Sequence, residues 1–413
     1  MPDAAERSST RRGYEFGDAL AQGPDLLAAA ETAVAAATAP LHGHRPDLLG
    51  VFVSHPDPDV AASAGQRAME IAGATTAFGC RASGVIGDGR GVEDTPAVAV
   101  WAATLPGVRV TPFRLQAARH EGGISVGGMP VPADDDAVAV LLADPFTFPA
   151  QGFVEQSDDA LGGLPLIGGL ATAPTGSAAL GPGRPAPGGA RLFLDGEVHS
   201  RGAIGVLLGG NVAVRTLVSQ GCRPIGPTMT VTAAGGSELH ALAGMPAYRK
   251  LEEILRDLGE TDRELALQGL HLGVAIDEYA DVHGRGDFLI RGVVGADEDT
   301  GTVTVGDVVE VGRTVRFHVR DATTAGEDLD ALMAASEEEG PAGGALLFSC
   351  TGRGRVMFGE QDSVHGGASH DVRAIRRGLA PRVAGFFADG EIGPVAAKNN
   401  LHGFTASVLA FGD

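Results

Sequence analysis

The feature that most constrains this chain is a recurrence: a short, fully apolar run suited to a buried strand, a helical segment, a glycine-rich turn, and a second apolar run. It first occurs as Leu49–Ser54, a helix predicted over 56–72, the turn Gly79–Gly87 and a strand around Val98–Trp101. It returns as Ala137–Ala143, a broken helical segment, Leu166–Ala171 and Ala203–Leu208. A third copy runs through Ala345–Ser349, a helix around Val372, Ile375 and Leu379, the turn Gly385–Gly393 and Ala406–Phe411. Apolar runs of that length bounded by turn residues read as buried strands, and their alternation with helices predicts an α/β fold built from three related strand–helix–strand units. Glycine-rich turns at strand ends are where such folds admit ligands, because backbone without a Cβ approaches the bound molecule closely.

The middle of the chain breaks this rhythm. Val212–Ser219 alternates, Thr228–Ala233 and Glu238–Leu242 flank Gly235–Gly236, and Phe288–Val294 and Gly301–Val305 flank a polar turn. Val315, Phe317 and Val319 mark a further half-buried strand, so an antiparallel β-rich lobe is expected here. One helix interrupts it, opened by Pro246, carrying Leu251, Ile254, Leu255 and Leu258 on one face and closed by Gly259. At the other end, the first dozen or so residues are polar and aperiodic, and the ordered fold is expected to start at Pro24 with an Ala-rich helix. Ala173–Gly189 reads as an exposed loop. A chain of 413 residues exceeds what one core organises, which favours two domains or interlocked lobes.

Charge excludes whole classes of partner. A formal net charge of -21 disfavours nucleic acid and anionic membrane surfaces, which demand a basic face. No apolar stretch approaches membrane-spanning length and no leader follows the N-terminal charges, so a cytoplasmic location is expected. The three cysteines, Cys80, Cys222 and Cys350, lie far apart and form neither a disulfide framework nor a metal or redox pair. Phosphate-loop and zinc-hydrolase signatures are missing. Gly123–Gly127 matches G-x-S-x-G, but Gly128, Met129, Pro130 and Pro132 follow where a nucleophile elbow needs a helix. Gly87–Gly91 likewise opens no helix and reads as a surface turn. No metal site is expected, because the scattered histidines lack partner ligands.

What remains is a set of polar segments bracketed by glycine. Gly79–Cys80–Arg81 is echoed by Gly221–Cys222–Arg223 and by Ser349–Cys350 followed by Arg353. Taken singly, each cysteine reads as a small buried hydrophobe and each arginine as a surface charge. Three such segments shift the balance, since a guanidinium captures a carboxylate through a planar pair of hydrogen bonds. Arg223 and Arg353 are therefore the carboxylate candidates, with Arg81 beside them, and Ser83 and Ser349 are hydroxyl donors. Glu391, set in Gly390–Pro394, suits a ligand ammonium or, equally, a salt bridge to one of the arginines. His402 lines the same cavity or serves as a core imidazole. The three cysteine segments are expected to converge on one pocket.

In these residues the chain resembles the FIST family, named for intracellular signal transduction. The likeness is carried by GCRASGVIG (79–87), AVAVWAATLPGVRVTPFRL (97–115), QGCRPIGP (220–227), FSCTGRGRVMFG (348–359), AGFFADGEIGP (384–394) and LHGFTASV (401–408). The resemblance implies a FIST N-terminal domain at 41–225 and a FIST C-terminal domain at 226–413, after a flexible N-terminus and first helix at 1–40. It further implies a sensory role with an amino-acid-like ligand, and no catalysis. Some relatives are thought to bind haem and sense nitric oxide, which makes haem the alternative cofactor, with His402 or His318 as axial ligand. A cysteine-dependent enzyme is the weaker alternative. Family members are often joined to kinase, cyclase or chemoreceptor domains; no such domain follows Asp413, so the expectation is either a separate signalling partner such as a kinase or a binding protein without signalling.

Overall fold

The computed structural model describes residues 13–171, 189–280, 283–284, 286–360 and 366–412. Its organising principle is a triplicated unit. The first unit contains the strands Glu15–Gln22, Leu48–Ser54, Thr76–Ala82 and Ala97–Thr104; the second Val108–His120, Asp136–Ala143, Leu166–Leu170 and Ala203–Gly210; the third Val214–Gln220, Ala342–Cys350, Arg382–Ala388 and Thr405–Gly412. In each, the last strand lies antiparallel between the first two, and the second and third run parallel. Parallel neighbours need a crossover, which the helices Pro58–Ala72, Ala150–Ala160 and His370–Gly378 supply. The first of these is well specified locally: Asp57 caps it by accepting from Asp59 and Val60 N–H, Pro58 opens it, and Gly73 closes it at φ 57°.

Between its third and fourth strands each unit sends out a hairpin that joins another unit's sheet. Gly84–Gly87 of the first unit pairs with Arg382–Ala388 of the third, Leu192–Leu194 of the second with Thr76–Ala82 of the first, and Glu391–Val395 of the third with Leu166–Leu170 of the second. The exchange is cyclic, so three sheets close around one core. Phe52, Phe78, Trp101, Phe348, Phe386 and Phe411 fill it together with Val140 and Ile167. Helices cover the outer faces: Leu26–Thr38 and Pro58–Ala72 on the first sheet, Ala150–Ala160 on the second, Ala322–Glu337 and His370–Gly378 on the third.

One glycine in each unit certifies the kinship. Gly79, Gly168 and Gly385 sit opposite Val51, Leu141 and Leu347 in the parallel ladder. A Cβ there would lie 1.8, 2.0 and 1.7 Å from those residues' carbonyl oxygens, so no other residue fits without moving the backbone.

The β-rich middle is a closed barrel inserted into the third unit. Its strands are Cys222–Gly235, Glu238–Leu242, Leu270–Ala275, Phe288–Asp297, Thr302–Val305 and Thr314–Arg320, and closure arises because the long strand Cys222–Gly235 pairs with both Thr314–Arg320 and Glu238–Leu242. Val315, Phe317 and Val319 point inward with Leu239, Leu272 and Val303. By alternation Arg316, His318 and Arg320 face outward.

The structure corrects the sequence reading at the N-terminus, where Glu15–Gln22, expected to precede the ordered fold, is a strand along the edge of the first sheet. Ala173–Gly189 falls, apart from its last residue, outside the described residues. Gly123–Gly127 is an exposed hairpin strand paired with Gln116–His120, and Asp88–Gly89, with φ 50° and 68°, form a tight hairpin turn.

Candidate functional site

The third unit's parallel strands end together, Cys350 beside Ala388, at the edge where open α/β sheets hold ligands. The chain then turns sharply, with Thr351 N–H donating to the Ala388 carbonyl and Arg353 N–H to the Cys350 carbonyl, both at 2.8 Å. This turn folds Arg353 inward until it is 0% exposed. Its Nε and Nη2 donate to the two oxygens of Asp371, at 2.8 and 2.9 Å, and Ser349 Oγ donates to the same carboxylate at 2.8 Å. Burial acts to raise the Asp371 pKa, but the paired guanidinium and these hydrogen bonds outweigh it and hold the group well below the usual carboxylate range. The third guanidinium nitrogen, Nη1, has no hydrogen-bond partner among the described residues. It is aimed at Gly221, where a Cβ would lie 2.9 Å from it.

Glu391 occupies the hairpin position that Val85 and Leu192 hold in the other units, as the three ladders show. Gly169 lies opposite, where a Cβ would come 2.7 Å from that of Ala388. The carboxyl is wholly buried; Oε2 accepts from Thr405 N–H at 3.1 Å and Thr405 Oγ1 at 2.9 Å, the Cys350 thiol approaches the carboxyl, and Oε1 has no geometric hydrogen-bond partner among the described residues. Burial pushes its pKa up to about 8, against the pull of Thr405 and the nearby Cys350 thiol. The carboxyl is therefore largely protonated at neutral pH.

Burial disfavours the thiolate of both neighbouring cysteines. Burial pushes Cys350 well above the ordinary thiol range, with Glu391 adding to the effect. Cys222 is pushed up to about 12 by burial, only partly opposed by Arg320 and Arg353. A nucleophilic cysteine needs the opposite environment.

Facing this edge is the outer wall of the barrel, with Cys222, Arg320, His318 and His271. Phe404 is wedged between the two bodies. It holds a left-handed backbone, φ 62°, which costs a bulky residue about 1–3 kcal/mol and marks a position held by its surroundings. Its ring meets His271 edge-on at 4.3 Å and lies under the Arg320 guanidinium at 5.8 Å. Gly352 is required beside it, since a Cβ there would come within 2.5 Å of the ring.

Of the residues singled out in the sequence, Cys222, Cys350, Arg353 and Glu391 are thus gathered around the barrel contact, with His402 as the cross-strand neighbour of Glu391. His402 donates from Nε2 to the Gly393 carbonyl at 2.9 Å, and burial pushes its pKa down to about 4. Cys80 and Arg81 are elsewhere. Cys80 packs in the central core beside Phe52 and Leu192, and Arg81 on the opposite face staples the His55, Pro56 and Gly189 carbonyls. Ser83, in the first unit, accepts through its carbonyl from Ser54 Oγ at 3.1 Å. Ser349 faces the helix and is committed to Asp371. Arg223, expected to read a carboxylate, is already engaged: Nε donates to Asp321 at 2.8 Å and Nη2 to Asp262 at 2.6 Å. Cys222 and Cys350 thus both lie near the barrel contact, while Cys80 and Arg223 are engaged elsewhere.

Asp371, Thr405, Phe404 and His271 were not singled out in the sequence. Thr405 and Phe404 lie in the segment that carries the family likeness, but nothing local distinguishes their roles. His318 and His402 are 0% and 3% exposed, His318 against Phe288 and His402 within its hairpin, so a haem reaching either would have to open the packing around it. Among the described residues no three or more His, Cys, Asp or Glu cluster as metal ligands do. Two open clefts, of about 500 Å³ beside Gln66, Met69 and Asp195 and about 260 Å³ beside Met229, Lys250 and Ile254, contain none of the singled-out residues. The site around Phe404 is a closed, polar contact rather than an open cleft.

Two family models cover this architecture in succession, the FIST N domain over residues 47–245 and the FIST C domain over 247–394. The chain belongs to the FIST family. An uncharacterized protein of Mycobacterium tuberculosis is 40% identical to this FIST protein over 404 residues, covering 96% of this chain and all of the relative. An uncharacterized protein of Mycobacterium bovis is 38% identical over 393 residues, covering 94% and 97%. FIST domains are linked to signal transduction and small-ligand sensing and form no known enzyme family. No described helix is long and apolar enough to cross a membrane.

Proposed function

We propose that this FIST protein is a small-ligand sensor whose ligand is amino-acid-like and sits between the barrel and the third unit. One observation carries the reading: two fully buried side chains of opposite type, Arg353 and Glu391, each keep one polar atom without a partner, and Cys350 interacts electrostatically with both. Leaving such atoms buried and unpaired costs about 1–3 kcal/mol each, more for charged groups, so a ligand that satisfies them gains that much over one that does not. Arg353 Nη1 takes the ligand carboxylate. Glu391 Oε1 takes the ammonium, its carboxyl proton leaving to solvent as the cation enters, so that binding releases one proton. The cysteines contribute shape and no chemistry, and the signal passes to a separate protein such as a kinase through movement of the barrel against the third unit.

The test is a thermal-shift screen of amino acids and small organic acids on wild type, Arg353→Lys and Glu391→Gln. A ligand present at 100 times its dissociation constant stabilises the protein by about 2.7 kcal/mol. The reading holds if a hit on wild type is weakened in both variants, since lysine cannot reproduce the guanidinium geometry. A hit that stabilises all three proteins equally overturns it. So does a screen without hits in which the purified protein shows a Soret band on adding haem.

A further inference from the structure

The barrel wall carries polar atoms that the reading above leaves unused. His271 and His318 are cross-strand partners on the outer face, 4% and 0% exposed. His318 Nδ1 lies 2.9 Å from the Arg316 carbonyl, which can only accept, so Nδ1 carries the proton and Nε2 is a bare lone pair. Nε2 has no partner among the described residues. In His271 the backbone of Gly269 engages the ring, and Nδ1 is left without a partner among the described residues. Burial first, with Arg320 next for His271, pushes the pKa of His271 down to about 3, and burial pushes that of His318 down to about 4. Both rings are therefore neutral acceptors across the physiological range.

Their neighbour decides what they accept from. Arg320 stands next but one to His318 on the same face, over the Phe404 ring. The Gln268 carbonyl takes one of its N–H donors at 2.6 Å. A ligand cation would meet this guanidinium at close range and be repelled; a ligand carboxylate would pair with the guanidinium but, having no N–H, would leave both imidazole acceptors unsatisfied. A carboxamide suits both, with N–H groups for the imidazoles and a carbonyl oxygen for the guanidinium.

We propose that His271, His318 and Arg320 form a side-chain subsite selecting a carboxamide-bearing amino acid, glutamine- or asparagine-like, whose backbone groups are held by Arg353 and Glu391. This rests on the amino-acid reading of the site. The ring of Phe404, in contact with His271 on one side and with the Gly352 turn on the other, lies where the two halves meet and is what the ligand displaces.

The experiment is isothermal titration of glutamine, asparagine, glutamate, aspartate, methionine and leucine into the full chain. Wild type is expected to bind one of the two amides on the order of tenfold or more tighter than its acid or its apolar counterpart, because a site with buried hydrogen-bonding groups rejects the analogue that leaves them unpaired. His271→Phe and His318→Phe, checked for folding by circular dichroism, should reduce the amide to the affinity of methionine, while His271→Asn, which restores an acceptor, should recover part of the preference. Methionine binding wild type as tightly as glutamine overturns the subsite without any variant having to fold. Amino acids bound in a manner dependent on Arg353 and Glu391 but without amide preference sink this inference alone. If no amino acid binds wild type, the subsite and the reading it rests on fall together.

Discussion

The first and third units share a scaffold and differ at two positions that decide what each does with it. At the end of the second strand the first unit has Ser54, which donates to the Ser83 carbonyl, and the third has Cys350. On the exchanged hairpin the first has Val85, fully buried and apolar, and the third has Glu391, fully buried with an oxygen unpaired. The second unit sides with the first, placing Leu192 on the hairpin and, at the strand end, Asp144, which caps Phe146 and Thr147. Features common to all three units are structural; the departure in the third is where the polar site forms. A fold triplicated around one core can give up packing at one of three equivalent places because the other two still close it.

The largest effect should come from what the units share. Alanine at Gly79, Gly168 or Gly385 drives a methyl into a backbone carbonyl, and each variant should lose well over about 4 kcal/mol, the range reserved for severe strain. Urea denaturation of the three variants checks this, and one tolerated alanine would break the equivalence. Next comes Arg353→Ala, which leaves Asp371 buried without its counter-charge at a cost of about 3–5 kcal/mol. The double variant Arg353→Leu with Asp371→Leu should recover much of that loss in the same assay.

The Glu391 comparison sharpens with pH. Its folded pKa of about 8 lies above the ordinary 4.5, so the folded state holds the proton more tightly than the unfolded one. Its stabilising contribution is complete below about 4.5 and is lost as pH rises through about 8, a change on the order of a few kcal/mol. Denaturation at pH 6 and pH 9 should show this loss in wild type and not in Glu391→Gln or Glu391→Val, the latter restoring the first unit's residue type. The smallest effect belongs to the first unit: Ser54→Ala removes one neutral hydrogen bond and should cost about 1 kcal/mol without altering ligand affinity.

How much of this was legible before the structure depended on how local each signal is. The buried strands, crossover helices and glycine turns recur in sequence because each is specified within a few residues. Glu15–Gln22 was missed because Gly17 and Asp18 interrupt its apolar run, and each has a tertiary reason. A Cβ at Gly17 would lie within 2 Å of the Ala37 carbonyl, and Asp18 accepts from Asp88 N–H at 2.8 Å. Barrel closure was hidden for a similar reason, since one strand's two partners lie at opposite ends of the insertion. Arg81, Arg223 and Arg353 look alike in the sequence, each close behind a cysteine. Only the fold shows one bound to carbonyls, one to two carboxylates and one with a nitrogen to spare.

The sequence by itself determined the α/β class, the three units, the β-rich insertion, and four of the residues at the barrel contact. These follow from periodicity and glycine placement, which act over short stretches without regard to topology. The tertiary structure alone decided the cyclic exchange of hairpins, the pairing of Arg353 with Asp371, the burial of Glu391 without an ion pair among the described residues, and the approach of His271 and Arg320 to Phe404. Each depends on contacts between segments far apart in the chain, and a side chain's chemistry is set by which partners reach it and how much water is excluded.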